Sequence, residues 1–373
     1  ELYQLPLALD FTDPEQATSD IVAYAKNTPL AAILAVDDTG SLLAALASAA
    51  LGLPHNDPAS AEAARNKYRM RQMLATGGIP HPHFRRIPGD ADFAILATDI
   101  AYPVVVKPLL LSGSRGVIRA NTPNEFVAAC ERLTNLLYRI GGEGDAQAIL
   151  IEQYISGGEV ALEGLLVDGE LHVLALFDKP DPLAGPFFEE TIYVTPSRLP
   201  ARLQDAMRSR TREAAAALGL RTGPVHAELR YNAEDVWLIE IAGRSIGGLC
   251  GSILEFGTDV CLEEIIIRQA VALPLPSLER TGDAAGVMMI PIPKRGILRA
   301  VSGVEEAKLG PHITGVEITA PLDYPLVPLP EGESYLGFIF ARAEGPGIVE
   351  EALRTAHGKL SFDIEDELPI LPY

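Results

Sequence analysis

Residues 223–248 read GPVHAELRYNAEDVWLIEIAGRSIGG. Two β-rich runs, Val225–Tyr231 and Val236–Ile241, flank the short polar turn Asn232-Ala-Glu-Asp235, a hairpin pattern. A hairpin of this length lets Glu228 and Glu240 point to one face of a sheet, and Arg244 follows in a glycine-rich loop. Two carboxylates and a guanidinium beside a sheet suit a hard cation and a transferring phosphoryl group, since such cations prefer oxygen ligands and the arginine fork matches phosphoryl oxygens. Taken alone, the same residues read rather as solvent-facing strand acids and a loop charge. The rest of the chain has to decide.

A chain of 373 residues is long enough for two or three domains. Its net charge of −20 argues against nucleic-acid partners, which need basic patches. No apolar run is long enough to cross a membrane; Leu42–Leu53 reads as an alanine-rich core helix. The cysteines Cys130, Cys250 and Cys261 lack metal spacing and are few for a disulfide framework, which points to a reducing cytoplasm.

Leu5–Asp10, a helix near Pro14–Lys26, Ala31–Val36 and a helix at Ser41–Leu51 form a βαβα run, the pattern of an open parallel sheet. The chain starts at Glu1 directly on a strand-like run, so one further N-terminal strand is expected before it. A helix is expected from Asp57 as N-cap to about Ala75, and the proline-rich Ile79–Gly89 reads as a linker closing a first domain at about residue 80. Strands at Tyr102–Lys107, Gly116–Arg119 and Ala148–Glu152, with a helix from Thr122 to about Arg139, make a small α+β unit over 81–152. Thr122 with Glu125 forms a capping box. From 153 to 373 the pattern is a large antiparallel lobe with a β-rich tail from about 276. It contains Glu159–Val167, the turn Asp168-Gly169, Leu171–Asp178, Phe187–Thr195 and helices at Leu199–Leu218 and Val260–Ala272.

Lys107 ends the apolar strand of AYPVVVKP, and the loop Leu111-Ser-Gly-Ser-Arg-Gly116 follows it. Glycines there let backbone N–H groups approach phosphates, with Ser112, Gly113, Ser114 and Gly116 as candidates; a plain hairpin turn is the other reading. Glu152-Gln153-Tyr154-Ile155 is a hinge whose extended backbone can pair with an adenine edge, and Glu159 could take ribose hydroxyls; an ordinary interdomain linker is the bland alternative. The cationic segment 65–71, RNKYRMR, containing Lys67, is an anion site or a solvated helix face, with the solvated face favoured. Asp178-Lys179 ends a strand, Glu190 and Tyr193 lie on the next, and His226 shares strand parity with Glu228. His226 is equally readable as a structural histidine.

Taken in chain order, the lysine helix, the VVVKP strand with its Gly/Ser loop, Glu-Gln-Tyr-Ile with Gly-x-Glu, and the Glu…Glu-x-x-x-Arg hairpin resemble the ATP-grasp superfamily over nearly the whole chain. That resemblance implies an ATP-grasp fold of α/β and α+β class: an N-terminal open parallel α/β (Rossmann-like) domain, a small α+β lid lobe and a large antiparallel catalytic lobe. It implies ATP between two lobes, Mg²⁺ (or Mn²⁺) on its phosphates, and an acyl-phosphate that an amine attacks. Carried over, Lys67, Lys107, Lys179 and the loop Ser112–Gly116 would serve the nucleotide, with Glu152–Ile155 as adenine hinge and Glu159 on the ribose. Glu228 and Glu240 would bind the metal, and Arg244 would stabilise the acyl-phosphate.

Many members carry asparagine two residues after the second metal acid; here Glu240-Ile-Ala242-Gly-Arg244 has alanine. In that departure, and in Asp178-Lys179, Glu190-Thr-Ile-Tyr193 and His226-x-Glu228, the chain resembles the L-amino acid ligases, which join two amino acids into a dipeptide. The resemblance implies amino-acid substrates, Glu190 at a substrate amino group, and Arg244–Gly248 lining the pocket, where Gly247 and Gly248 leave room. Glu190 or His226 would take the proton of the incoming amine. A homodimer through the apolar first domain is a further expectation. The competing readings are a purine-pathway or carboxylase-type ligase and a nucleotide-binding regulatory protein without turnover.

Overall fold

The computed structural model describes residues 6–141, 144–257, 260–280 and 282–366. Helices α1 (Pro14–Ala25) and α2 (Asp38–Leu51) start at aspartate N-caps, Asp13 and Asp37, whose carboxylates accept from Gln16 and Gly40 N–H. They pack together through Ala17, Ile21, Leu43 and Ala47. No strand is assigned at residues 6–10 or 31–36, where a parallel ladder was expected; Leu5 lies outside the described residues. Leu9 and Ile33, partly buried, pack against the helix pair instead. Apolar content in those runs therefore shows up as helix packing rather than as backbone pairing.

The helix expected over 57–75 is two helices, α3 (Pro58–Arg65) and α4 (Lys67–Thr76). Asn66 separates them in an extended conformation, and its Oδ1 accepts from Tyr68 and Arg69 N–H. Asparagine competes for backbone N–H groups and so favours caps over helix interiors. The break puts Lys67 at the first position of α4. Both helices join the core of the large sheet: Ala63, Ala64, Met70 and Leu74 pack with Leu162, Leu218 and Leu238.

The linker-like 79–89 contains a strand, β1 (Phe84–Ile87). It lies in a four-stranded antiparallel sheet, order β1-β4-β2-β3, with β2 (Val104–Pro108), β3 (Ile118–Ala120) and β4 (Ile149–Gln153). The short α5 (Phe93–Leu96) and the long α6 (Pro123–Arg139) cover it. Thr122 caps α6 as expected, its side chain accepting from Glu125 N–H. In return, Glu125 reaches back to Asn121 N–H.

The large sheet is eight-stranded, with order β14-β16-β12-β7-β6-β5-β8-β9. Its strands are β5 (Gly158–Val167), β6 (Glu170–Lys179), β7 (Ile192–Thr195), β8 (Gly223–Tyr231), β9 (Val236–Ala242), β12 (Ala284–Ile290), β14 (Ile313–Ile318) and β16 (Gly337–Ala343). The strand expected from Phe187 starts only at Ile192. Asp168 and Gly169 both take positive φ, 53° and 88°, which gives the tight two-residue hairpin that Asp-Gly favours. Helix α7 (Ala201–Leu218) packs on one face. On the other lie a small ladder, β10 (Glu255–Phe256) with β11 (Val260–Cys261), and helix α8 (Leu262–Ala270); the helix expected from Val260 therefore starts two residues later. The tail adds β13 (Gly296–Ser302), β15 (Pro325–Leu326) and β17 (Ser361–Glu365) as a three-stranded sheet, with α9 (Val304–Lys308) and α10 (Pro346–His357). No described helix is long and apolar enough to cross a membrane.

Candidate active site

Strand parity builds one wall of the site. On β8, Val225, Ala227 and Leu229 enter the core, so His226, Glu228 and Arg230 face the opposite side. On β9 simple alternation would send Glu240 to the core with Leu238. A bulge prevents that: Glu228 pairs with Glu240 while Leu229 pairs with Leu238, leaving Ile239 as the extra residue. Past the bulge the facing reverses, and Glu240 and Ala242 line the cavity while Ile241 is buried in the core. Glu228 and Glu240 thus stand directly opposite one another on adjacent strands.

The cavity between the small and large sheets measures about 640 Å³. Every nominated residue lines it except Gly116 and Lys179. Gly116 backs the Gly/Ser loop: its N–H donates to Pro330 O at 2.7 Å, its φ is +74°, and a Cβ would come within 2.8 Å of Leu133. Arg115 ties the same loop to the tail, to Glu331 O at 2.9 Å and the Glu333 carboxylate at 2.8 Å. Gly248, at φ +62°, has Phe338 3.2 Å from a hypothetical Cβ, whereas one at Gly247 would meet open space.

The cationic segment is not a solvated face. Lys67 and Arg71 are buried, and only Arg69 projects outward. Lys67 Nζ donates to Leu111 O at 2.7 Å and Glu240 Oε1 at 3.0 Å. Arg71 donates to both Glu152 oxygens, at 2.6 and 3.3 Å, and Lys107 Nζ lies 2.5 Å from Glu152. Burial would raise the Glu152 carboxyl, but the two cations outweigh it and hold it below the ordinary range. The Glu152 carboxylate therefore anchors Lys107 rather than facing the hinge. At that hinge, Gln153 and Tyr154 N–H donate to His83 and Pro103 carbonyls, and the guanidinium carbons of Arg119 and Arg230 lie 4.0 and 5.2 Å from the Tyr154 ring centre.

A second ionic cluster centres on Lys179, which is 3% exposed. Its ammonium contacts Glu159 at 2.8 Å, Glu190 through a short hydrogen bond, and Glu228 at 3.7 Å. Arg230 also reaches Glu159, at 3.3 Å. Oxygens of Glu159, Glu190 and Glu228 lie within 4.8 Å of one another. Burial, offset by Lys179 and reinforced by Glu228, pushes the Glu190 carboxyl up to about 7. The Tyr193 ring lies 5.1 Å from the Lys179 ammonium.

Two contributors carried no sequence signal. Glu163 is fully buried on β5; it accepts from Ile246 N–H at 3.1 and 3.2 Å and contacts His226 Nδ1 at 3.2 Å. His226 Nε2 lies 3.8 Å from Glu228. Burial alone would lower the His226 pKa, but its hydrogen bonds to Glu163 and Glu228 push it up to about 9. Asp38, at the start of α2, holds Arg244 through two bonds, Nε to Oδ1 at 3.0 Å and Nη2 to Oδ2 at 2.6 Å. Only the folded chain brings these pairs together.

Residues 100–253 match the family model of the ATP-grasp domain, and residues 4–55 that of the ATP-grasp N-terminal domain. The chain has the ATP-grasp fold. Residues 288–365 match the L-amino acid ligase C-terminal domain 2. Among solved structures, the fold is similar to that of an L-amino acid ligase from Bacillus licheniformis, with a TM-score of 0.81 and 26% identity, covering 96% of this chain and 87% of that one. An uncharacterised protein of Sinorhizobium fredii is 25% identical over 333 residues, 86% of this chain and 66% of its own length. An alanine–anticapsin ligase of Bacillus amyloliquefaciens is 26% identical over 287 residues, 71% and 60% respectively. The chain thus spans less than two thirds of the length of these curated relatives.

The Glu190 environment makes a pH prediction. A carboxyl whose folded pKa is raised binds its proton more tightly when folded, so its contribution is most favourable below the unfolded value, about 4.3. That contribution is lost as pH rises through about 7. Glu190→Gln is expected to flatten the fall of Tm with rising pH between 5 and 7 in metal-free buffer, read by thermal melts. A variant profile parallel to the parental one would contradict it. Glu228, held well below the ordinary range, acts oppositely and only at acid pH: burial opposes that depression, and Lys179 and His226 enforce it.

Proposed function

We propose that this ATP-grasp chain is an ATP-dependent carboxylate–amine ligase that joins two amino acids into a dipeptide. The observation that carries the reading is the single cavity where phosphate-binding types (Lys67, Lys107, the Gly/Ser loop) meet the Glu228/Glu240 face and Arg244. The match of its tail to the L-amino acid ligase C-terminal domain favours amino acids over other carboxylates and amines.

The residues fit the cosubstrates by chemistry. Lys67, Lys107 and the loop 112–116 would take the triphosphate, with the hinge 153–155 on the adenine. Glu228 and Glu240, paired in register on adjacent strands, would supply oxygen donors for Mg²⁺ or Mn²⁺; the oxygens of Glu190 and Glu159 lie close to Glu228, while Glu240 is held by Lys67. When bound, the metal neutralises phosphate charge. Carboxylate activation forms a bond from a carboxylate oxygen to the γ-phosphorus and breaks that phosphorus's bond to ADP. The amine nitrogen then bonds to the acyl carbon, inorganic phosphate leaves, and the nitrogen gives up a proton. Arg244 would stabilise the negative charge gathered in both steps, since two of its five N–H groups are uncommitted. Glu190 would receive the proton, since His226, with its pKa raised to about 9, already holds one, and Tyr193, Gly247 and Gly248 line the space left for substrate.

The test is release of ADP and phosphate from Mg·ATP over a panel of paired L-amino acids, with mass spectrometry of the products. A mass equal to the two amino acids less water, formed with stoichiometric ADP, supports the reading. ATP binding with no turnover on any pair, or turnover with bicarbonate or ribonucleotide amines alone, contradicts it.

A further inference from the structure

Asp38 belongs to no motif and lies 206 residues from its partner. It occupies the first position of α2, and the cap of that helix is already made by Asp37, whose carboxylate accepts from Gly40 N–H at 2.8 Å. The helix dipole favours an acid at this position but requires no arginine. Asp38 nevertheless forms a two-pronged pair with Arg244, both side chains only 13% exposed. Two charges withdrawn from water in this way cost solvation that must be recovered in geometry. What they gain is orientation: the carboxylate takes the Nε–Nη2 edge, Ser245 O takes Nη1 at 2.9 Å, and the plane of the guanidinium is fixed.

The same loop is held a second way. Glu163 accepts the Ile246 N–H with both oxygens, fixing the backbone two residues beyond Arg244. Together, a carboxylate from α2 holds the side chain and a carboxylate from β5 holds the main chain. Val36, Asp37 and Asp38 all line the central cavity, so the N-terminal unit closes it on the Arg244 side.

We infer that Asp38 is a positioning residue for the ligation step, through which the N-terminal helical unit sets the aim of Arg244 toward the reacting oxygens. This rests on the ligase reading above. A residue that merely docked the N-terminal unit would act on stability and would act independently of what stands at 244.

The experiment uses the full chain, with Asp38→Asn, Asp38→Ala, Arg244→Lys and the Asp38→Asn/Arg244→Lys double variant. For each, kcat, KM for the amino acids, Mg·ATP affinity by calorimetry and Tm are measured. Asp38→Asn is expected to lower kcat about tenfold to a hundredfold, with Mg·ATP affinity within about twofold of parental, because only the transition-state contact is disturbed. In the Arg244→Lys background, Asp38→Asn is expected to add less than about twofold, since both act through one guanidinium. Full additivity in the double variant, or a lowered Tm with kcat unchanged in both Asp38 variants, would overturn the inference. Failure of the ligase reading is distinct: it shows in the parental protein, as no condensed product from any amino-acid pair.

Discussion

Arg244→Lys is expected to lower the rate of ATP-dependent condensation by about 10²–10³-fold, the range seen when one preorganised donor to a developing oxyanion is removed. Coupled ADP release at saturating ATP reads it. The charge is conserved in this substitution, so a deficit must come from shape. Arginine presents a planar fork whose side edge matches the Asp38 carboxylate while two further N–H groups remain for a ligand. A lysine ammonium can satisfy Asp38 or reach the cavity, but it cannot do both in one fixed plane. Mg·ATP affinity should change little, because Lys67, Lys107 and the Gly/Ser loop are untouched. A variant within about threefold of the parental rate would remove Arg244 from the chemistry.

What the sequence made legible was local. The hairpin 223–242 could be read because alternation and turn composition lie within twenty residues, and the Asp168-Gly169 turn and the Thr122 cap are likewise short-range patterns. The fate of Glu240 was less secure than it looked: strict alternation along β9 buries it, and the bulge at Ile239 is what returns it to the face of Glu228. Asn66 was an available but unread signal, a cap residue inside an apparently continuous helix. Arg71 with Glu152, Glu163 with Ile246, and Asp38 with Arg244 have no local signature at all, since each pair is created by the meeting of distant elements. The same limit explains the cationic segment 65–71. Its composition is that of a solvated face, and the carboxylates of Glu152 and Glu240 with the carbonyls of Leu111 and Ile239, all distant in sequence, make burial of Arg71 and Lys67 tolerable.

Lys179→Met is expected to cost about 3–5 kcal/mol of stability, the range for breaking a buried ion pair from one side. Methionine matches the length and volume of the lysine stem, so packing is roughly conserved and the loss isolates the charge. Lys179 is 3% exposed and serves three acids at once, Glu159, Glu190 and Glu228. Without it, carboxylate oxygens within 4.8 Å of one another would share a low-dielectric pocket, with Arg230 reaching only Glu159 and His226 only Glu228. Two controls separate this electrostatic loss from a packing defect. Glu190→Gln added to Lys179→Met should recover part of the loss, because one of the uncompensated acids is gone; a packing defect would instead add to it. Acidification should also narrow the gap between Lys179→Met and the parental protein. With the ammonium removed, Glu190 is driven still further above its unfolded value, so the variant loses stability as pH rises and regains it as the acids take up protons. The parental protein keeps its lysine charged throughout, since the three carboxylates outweigh burial and raise the Lys179 pKa well above the ordinary range. Thermal melts of both proteins between pH 5 and 8 read the comparison, and a gap independent of pH would show that charge is not what Lys179 contributes.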